Sequence, residues 1–578
     1  MKISFKLLLM FLTVGLFSCE NYLEPLSEGD RLSEEQLLHN PAFLEGLLIK
    51  TYTALPNNYN NFDLDVASDN AVTNLQGSEI SKMATGAWSS SNDPISKWDT
   101  AFVQIRHLNL FLDRVDLINW SFDPRLSPEE NNEKNKYYKI RLKGEAYGLR
   151  AYFQSLLLQF HSGKGTDGRI LGFPVVTKPM DISDYTELPR NTFAECVKQI
   201  MSDLDSAIAF LPAVYKDISG QNMYNAASGV KYDNRMNGNA ARALKSRVAL
   251  LAASPAFADG SGVTWADAAI ISGSLLKDLG VLEPSGKTFY NYATYAAPPR
   301  IKEVIWEQAV VQSRTAETNN FPPSLYGSGR TNPTQSLVDA FPMKNGYPIN
   351  HELSQYNASQ PYALRDSRLD DYILYNGSTF KSKVINTYVG ADQDGVTSYE
   401  TSTRTGYYLK KFMIPSVSLT PGSLVSATHT YTIFRLTEVL LNYAEAANEA
   451  WGPTGDPSGL GFTAKTKIAE LRTRAGIAAA DPYLVAVNDQ TSLRELIKNE
   501  RRCELCFEGF RFWDIRRWND ATVNIMKPAT GVLIYNNEGI YTYNYVDVEA
   551  RNYQDYMIYG PIPYIETMKY RIIQNVGW

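Results

Sequence analysis

The feature that most constrains this chain is a spacing that keeps returning: apolar residues three, four and seven apart, over segments long enough to be helices. Over residues 136–160 they fall at Leu142, Ala146, Leu149, Phe153, Leu156 and Phe160, with Gly163 as a stop. Thr192 and Glu195 form a capping box that opens the stripe Phe193, Val197, Ile200, Leu204 and Ile208, and Pro212 closes it. A third stripe begins at Asn239 and runs through AARALKSRVALLAASP, whose alanines allow a neighbouring helix to approach closely. The same period predicts helices over 32–52, 100–118, 265–279, 433–450 and 465–474. They come mostly in consecutive pairs, as in tetratricopeptide arrays, without a strict repeat length. Between 282 and 430 the texture changes to Gly, Pro, Asn, Ser and Tyr with short β-like pieces. The expected fold is therefore mostly α: a helical frame over roughly 30–280 and 431–520 carrying a loop-rich insertion over roughly 282–430, and such insertions commonly hold binding sites.

The N-terminus gives an address. Lys2 and Lys6 precede an apolar run over 7–17, too short for a stable membrane span but suited to the core of a secretory signal. The run ends in Leu16, Phe17, Ser18 and Cys19, which resembles a bacterial lipoprotein box. The expectation is a cleaved signal over 1–18 and a lipid-bearing Cys19, with several acyl chains tethering an otherwise soluble body. A formal charge of -6 offers no field for a polyanion, so nucleic acid is not an expected partner.

Residues 501–518, RRCELCFEGFRFWDIRRW, combine arginines, carboxylates, aromatics and a Cys-x-x-Cys pair. A structural zinc site needs four ligands, and the five histidines (39, 107, 161, 351 and 429) are scattered. Leu493, Leu496, Cys503, Cys506, Phe507 and Phe510 instead draw one apolar stripe on a helix that opens near Ser492. The charges alternate in sign, with Glu508 and Arg511, and Asp514 and Arg517, one turn apart. The stretch reads as scaffolding: cysteines packed as small hydrophobes beside self-neutralising ion pairs, with no metal or cofactor.

Several segments together resemble the SusD/RagB family of outer-membrane lipoproteins of Bacteroidetes. They are WDTAFVQIRHLNLFLDRV, GEAYGLRAYFQSLLLQFHSG, NPTQSLVDAFPMKNGYPI, RDSRLDDYIL, GYYLKKF, FRLTEVLLNYAEAANE, LRTRAGI, ERRCELCFEGFRFWDIRRW and the closing GPIPYIE, in this order. The resemblance implies a single domain over 19–578 built on four tetratricopeptide-like helix pairs with an irregular ligand-binding part. It also implies a nutrient-binding protein at the cell surface, lid to a SusC-type TonB-dependent transporter.

Sugars present flat apolar faces and hydroxyl pairs, so a site for them needs an exposed aromatic platform beside Asp, Asn or Arg. Trp88, in a Gly/Ser-rich loop, is the expected platform, with Asp69, Asn70 and Asp65 from the polar run before it. Arg368 could fork two hydroxyls, though Asp366 or Asp371 could equally claim it, and Tyr326 and Tyr399 in loops complete an aromatic set. The expected ligand is a neutral oligosaccharide longer than a disaccharide, bound without being cut. Two rivals remain at this point: peptide capture in the manner of RagB, and a surface glycosidase, whose two carboxylates no motif picks out.

Overall fold

Side-chain caps set where the helices begin. Asn40 accepts from the backbone of Ala42 and Phe43 ahead of α1 (Pro41–Tyr52), and Ser127 and Glu130 form a capping box on α3 (Pro128–His161). Thr192 with Glu195 and Thr264 with Asp267 do the same for α4 (Phe193–Phe210) and α6 (Trp265–Leu279). The remaining long helices are α2 (Trp98–Arg114), α5 (Gly238–Ala253), α7 (Leu436–Trp451), α8 (Ala464–Arg474) and α9 (Gln490–Leu505), followed by the short α10 (Arg511–Arg517). The computed structural model describes residues 39–57, 63–180, 188–290, 301–478, 480–520, 524–570 and 572–578. The signal over 1–18, Cys19 and the leash behind it lie outside the described residues. No described helix is long and apolar enough to cross a membrane.

From α1 to α7 each helix packs on the next, and α7 packs in turn on α8 and α9. The pairs α2/α3, α4/α5, α6/α7 and α8/α9 make the mostly α, tetratricopeptide-like frame. The contact of α6 with α7 is informative, because some 150 residues separate them in sequence. Both ends of that insertion are zipped together: β2 (Val304–Ser313) pairs antiparallel with β4 (Ala427–Arg435), which leads directly into α7. The helices also approach closely, since a Cβ at Gly273 would lie 2.5 Å from Leu460 and 3.0 Å from Tyr443. The insertion is therefore a closed excursion from a continuous helical stack.

Apolar side chains gather in two main clusters. One runs through the helices and includes Phe111, Phe153, Trp306 and Tyr443; the other lies under the insertion around Phe321, Phe341, Tyr372 and Phe412. Two strand pairs fasten the insertion to the rest: β1 (Ala71–Thr73) with β3 (Thr331–Pro333), and a C-terminal hairpin of β5 (Ala529–Asn537) and β6 (Ile540–Glu549), whose Val532 and Ile534 enter the second cluster.

Residues 501–518 join these parts. The expected single stripe through Phe510 is broken: α9 stops at Leu505, Phe507 takes a left-handed φ of 62°, Gly509 one of 79°, and α10 starts afresh at Arg511. Cys503 and Cys506 are both fully buried free thiols that donate to the carbonyls of Ala340 and Cys503, and burial pushes the Cys506 thiol up to about 12. Asp514 and Arg517 pair at 2.8 Å as the spacing predicts. Glu508 instead holds Lys411 and Arg435, each at 2.7 Å, while Arg511 reaches back to Asp69 at 2.8 Å. Because the break rotates α10, Arg511 no longer follows Glu508 by one helical turn.

Candidate functional site

Five of the residues expected at the ligand are instead part of the scaffold. Trp88 is 4% exposed: its ring meets Trp578 edge-on at 4.7 Å and Phe512 at 5.9 Å, and its Nε1 donates to Asp93 at 3.0 Å. The Gly/Ser-rich loop does not expose it, because the C-terminal residues fold over it. Asp65 is buried and accepts from Asn70 at 2.8 Å; burial, against the pull of that bond, pushes its carboxyl up to about 6. Asn70 in turn accepts from Arg502 at 2.9 Å. Arg368 is 4% exposed and bonds to Asp366, Glu500 and Glu504 at 2.6, 2.8 and 3.2 Å. Asp69, mostly buried, accepts from Nε and Nη2 of Arg511; burial opposes its charge, but Arg502 and Arg511 outweigh it and keep the carboxyl well below its usual range. The polar atoms of these five side chains are engaged within the protein or, at Asp65 Oδ2, buried in it.

Tyr326 and Tyr399 are different: they are 58% and 60% exposed. Tyr399 lies in the wall of an open cleft of about 540 Å³, between residues 73–85 and the loop 397–404. The first wall leaves β1 and continues into the short helix Glu79–Ala84, capped by Ser78 accepting from the backbone of Ser81. The second is a tight turn in which Tyr399 and Ser402 exchange backbone and hydroxyl bonds at 3.0 Å and Ser402 donates to the Gln393 carbonyl at 2.7 Å.

Asn74 ties the two tyrosine loops together. Its Nδ2 lies 3.0 and 2.9 Å from the carbonyls of Ser328 and Gly329, in the loop that carries Tyr326, and 3.3 Å from the carbonyl of Ser402, in the loop that carries Tyr399. Its Oδ1 is buried with no partner among the described residues. Tyr326 stands at φ 64° on the adjoining loop, outside the cleft wall, with that loop also fixed by Ser324 donating to Asp394 at 2.8 Å. Replacing Asn74 with Ala removes the donor shared by both loops. We expect hydrogen exchange of residues 322–329 and 397–404 to rise at least tenfold while helix protection is unchanged; unchanged exchange in both loops would contradict this role.

The charged groups of the cleft are largely neutralised within the protein. Lys82 pairs with Glu79 at 2.5 Å, and Arg404 pairs with Glu549 at 2.6 Å while donating to the carbonyls of Thr73 and Val548. What remains is an exposed ring, the amide of Gln76, the hydroxyls of Ser78, Ser81 and Thr85, and the exposed carboxylate of Glu400. Such a surface suits neutral hydroxyls and disfavours anions. Of the residues lining this cleft the sequence singles out Tyr399 alone; Asn74, Gln76 and Arg404 escape notice because a lone Asn, Gln or Arg in a loop has no periodicity to mark it. Among the described residues no group of His, Cys, Asp and Glu converges to hold a metal ion.

Behind the Tyr326 loop, His429 on β4 lies 3.1 Å from Glu317, whose Oε1 also accepts from the backbone of Ile414. Burial alone would depress the imidazolium, but the Glu317 carboxylate outweighs it and raises His429 above its ordinary value. A raised folded pKa adds stability that is complete below the unfolded value of about 6.5 and fades as pH rises through the folded one. Denaturation midpoints should therefore fall between about pH 6 and 8 in the wild type and fall less in Glu317→Gln; identical slopes would contradict the pairing.

Comparison with known proteins places these features in context. The family model described as "SusD family" matches residues 302–578, and the one described as "Starch-binding associating with outer membrane" matches residues 21–250. SusD-like protein P25 of Formosa agariphila is 22% identical over 583 residues, covering 93% of this chain and 95% of the relative. A crystal structure of a SusD-like protein from Bacteroides fragilis aligns with a TM-score of 0.73 at 24% identity, covering 94% of this chain and 99% of that one. A SusD-like carbohydrate binding protein from the same organism aligns with a TM-score of 0.69 at 22% identity, over 93% and 99% of the two chains.

Proposed function

Because the chain belongs to the SusD/RagB family, we propose that it captures neutral oligosaccharides at the outer surface of the cell and passes them, uncut, to a SusC-type TonB-dependent transporter. The observation that carries the ligand class is the cleft beside Tyr399: an exposed ring next to an amide and hydroxyls, with its cations already paired. The name of the N-terminal family model, starch-binding and outer-membrane-associated, and the carbohydrate-binding description of the Bacteroides fragilis structure support the same class. The lipid on Cys19 would hold the protein at the membrane. In this reading the helical frame fixes the loops rigidly, so little ordering is required when a sugar stacks. Modest affinity suits a protein that must release its cargo.

The test is calorimetric titration with a panel of neutral and acidic oligosaccharides and short peptides, using wild type and Tyr399→Ala. A neutral oligosaccharide should bind and be recovered intact, and loss of the Tyr399 ring should weaken it by about 1–2 kcal/mol, roughly ten- to thirtyfold. Binding of peptides alone, or release of cleaved sugar, would replace this reading with one of its rivals.

A further inference from the structure

We propose that the outer edge of β6 docks an extended, basic segment of a partner polypeptide as a third strand. The β5–β6 hairpin turns through Glu538 and Gly539, both left-handed at φ 52° and 88°, with Asn537 opposite Ile540. A two-residue turn of this kind makes its flanking pair a hydrogen-bonded one. The N–H and C=O groups of Ile540, Thr542, Asn544 and Val546 therefore point toward β5, and those of Tyr541, Tyr543 and Tyr545 point away. The same phase is visible on β5. There two of the outward groups are engaged: Val532 donates to the Thr405 carbonyl at 2.9 Å, and Val389 donates to the Ile534 carbonyl at 2.8 Å.

β6 has no such closure. Among the described residues no backbone bond reaches Tyr541, Tyr543 or Tyr545 from outside the hairpin, and β6 pairs with β5 alone. Three N–H and three C=O groups thus lie along one line, in pairs about 6.8 Å apart, the spacing a strand presents to another strand. Exposed edges are ordinarily blunted by Lys, Pro, a bulge or a covering segment. Residues 540–546 contain neither Lys nor Pro, and the hairpin's one register shift lies at its base, between Ala529 and Thr530.

Charge selects the occupant. Residues 529–549 carry Glu538, Asp547 and Glu549 and no Lys or Arg. Glu549 is neutralised by Arg404 and Arg551, whereas Glu538 and Asp547 are exposed at the two ends of the open edge. A second copy paired antiparallel about Tyr543 would bring Glu538 of each chain beside the acidic base of the other, so self-pairing is repelled. A segment bearing Lys or Arg meets both carboxylates instead. This docking is separate from the sugar cleft and does not depend on it.

The probe is an array of ten-residue peptides of Thr and Val interspersed with either Lys or Glu, in normal and alternately N-methylated forms, incubated with the full chain. Light scattering is recorded in parallel. Wild type should be retained on the Lys peptides, lost on their N-methylated forms, and remain monomeric. Tyr543→Pro removes an outward donor without breaking the ladder to β5, and it should weaken retention at least tenfold. Asp547→Lys should weaken it similarly and keeps the test valid if the proline variant does not fold. Absence of retention across the array, retention indifferent to N-methylation, or a wild-type dimer that either variant dissolves would overturn the proposal.

Discussion

Replacing Arg368 with Met lowers the stability of the folded protein by about 3–5 kcal/mol, because it leaves the buried Asp366 carboxylate without its cation. Arg368 belongs to a buried network that ties the insertion to α8 and α9. Asp366 and Arg368 come from the insertion, Arg472 and Arg474 from α8, Glu500 and Glu504 from α9, and Arg435 and Glu303 from the ends of the paired strands. Glu500 keeps Arg472 at 2.6 Å and Glu504 keeps Arg474 at 2.6 Å when Arg368 is lost. Asp366, 1% exposed, loses its bonded guanidinium outright. Urea unfolding followed by tryptophan fluorescence measures the loss, and Arg368→Met with Asp366→Asn should recover part of it. A midpoint equal to wild type in the single variant would contradict the network. Sugar affinity per folded molecule should not change, which separates this arginine from the ligand role its sequence context suggests.

Trp88→Ala should likewise cost about 3–5 kcal/mol, the usual range for emptying a buried Trp site. The ring fills a small cluster with Phe160, Phe512, Ile515, Tyr553 and Met557, and the Arg516 guanidinium lies 5.5 Å from its centre. Its removal also takes the indole donor from Asp93, a mostly buried carboxyl that burial has already pushed up to about 6. Thermal unfolding gives the magnitude. A correctly folded variant with unchanged stability and lost sugar binding would restore Trp88 to the ligand surface.

The helical frame was legible in the sequence because burial on one face of a helix writes a period of 3.6 into it. α4 and α6 begin and end close to where caps and apolar spacing put them. α3 starts eight residues before the pattern does, since its first turns, Pro128 to Asn135, are charged, polar and mostly exposed and leave no apolar signature. The insertion was legible as a change of texture, but its closure by β2 and β4 was not, because the partners lie more than a hundred residues apart. Site residues fared unevenly for a physical reason. A Trp, an Arg or an Asp in a polar loop is equally fit to stack on a sugar or to anchor the loop, and only the long-range partners decide; Trp578 settles it for Trp88, as Glu500 does for Arg368. Tyr326 and Tyr399 stayed exposed, since no comparable partner covers them.

A crystal structure with the best-binding sugar of the panel should show a neutral oligosaccharide between the helix Glu79–Ala84 and the loop 397–404. The expected result is a sugar ring stacked on Tyr399 with hydroxyls bonded to Gln76 or Glu400, and no change in the Trp88 cluster. Sugar density instead in the cavity of about 320 Å³ within the helical frame, beside Tyr152 and Phe510, or against a displaced Trp88, would contradict it.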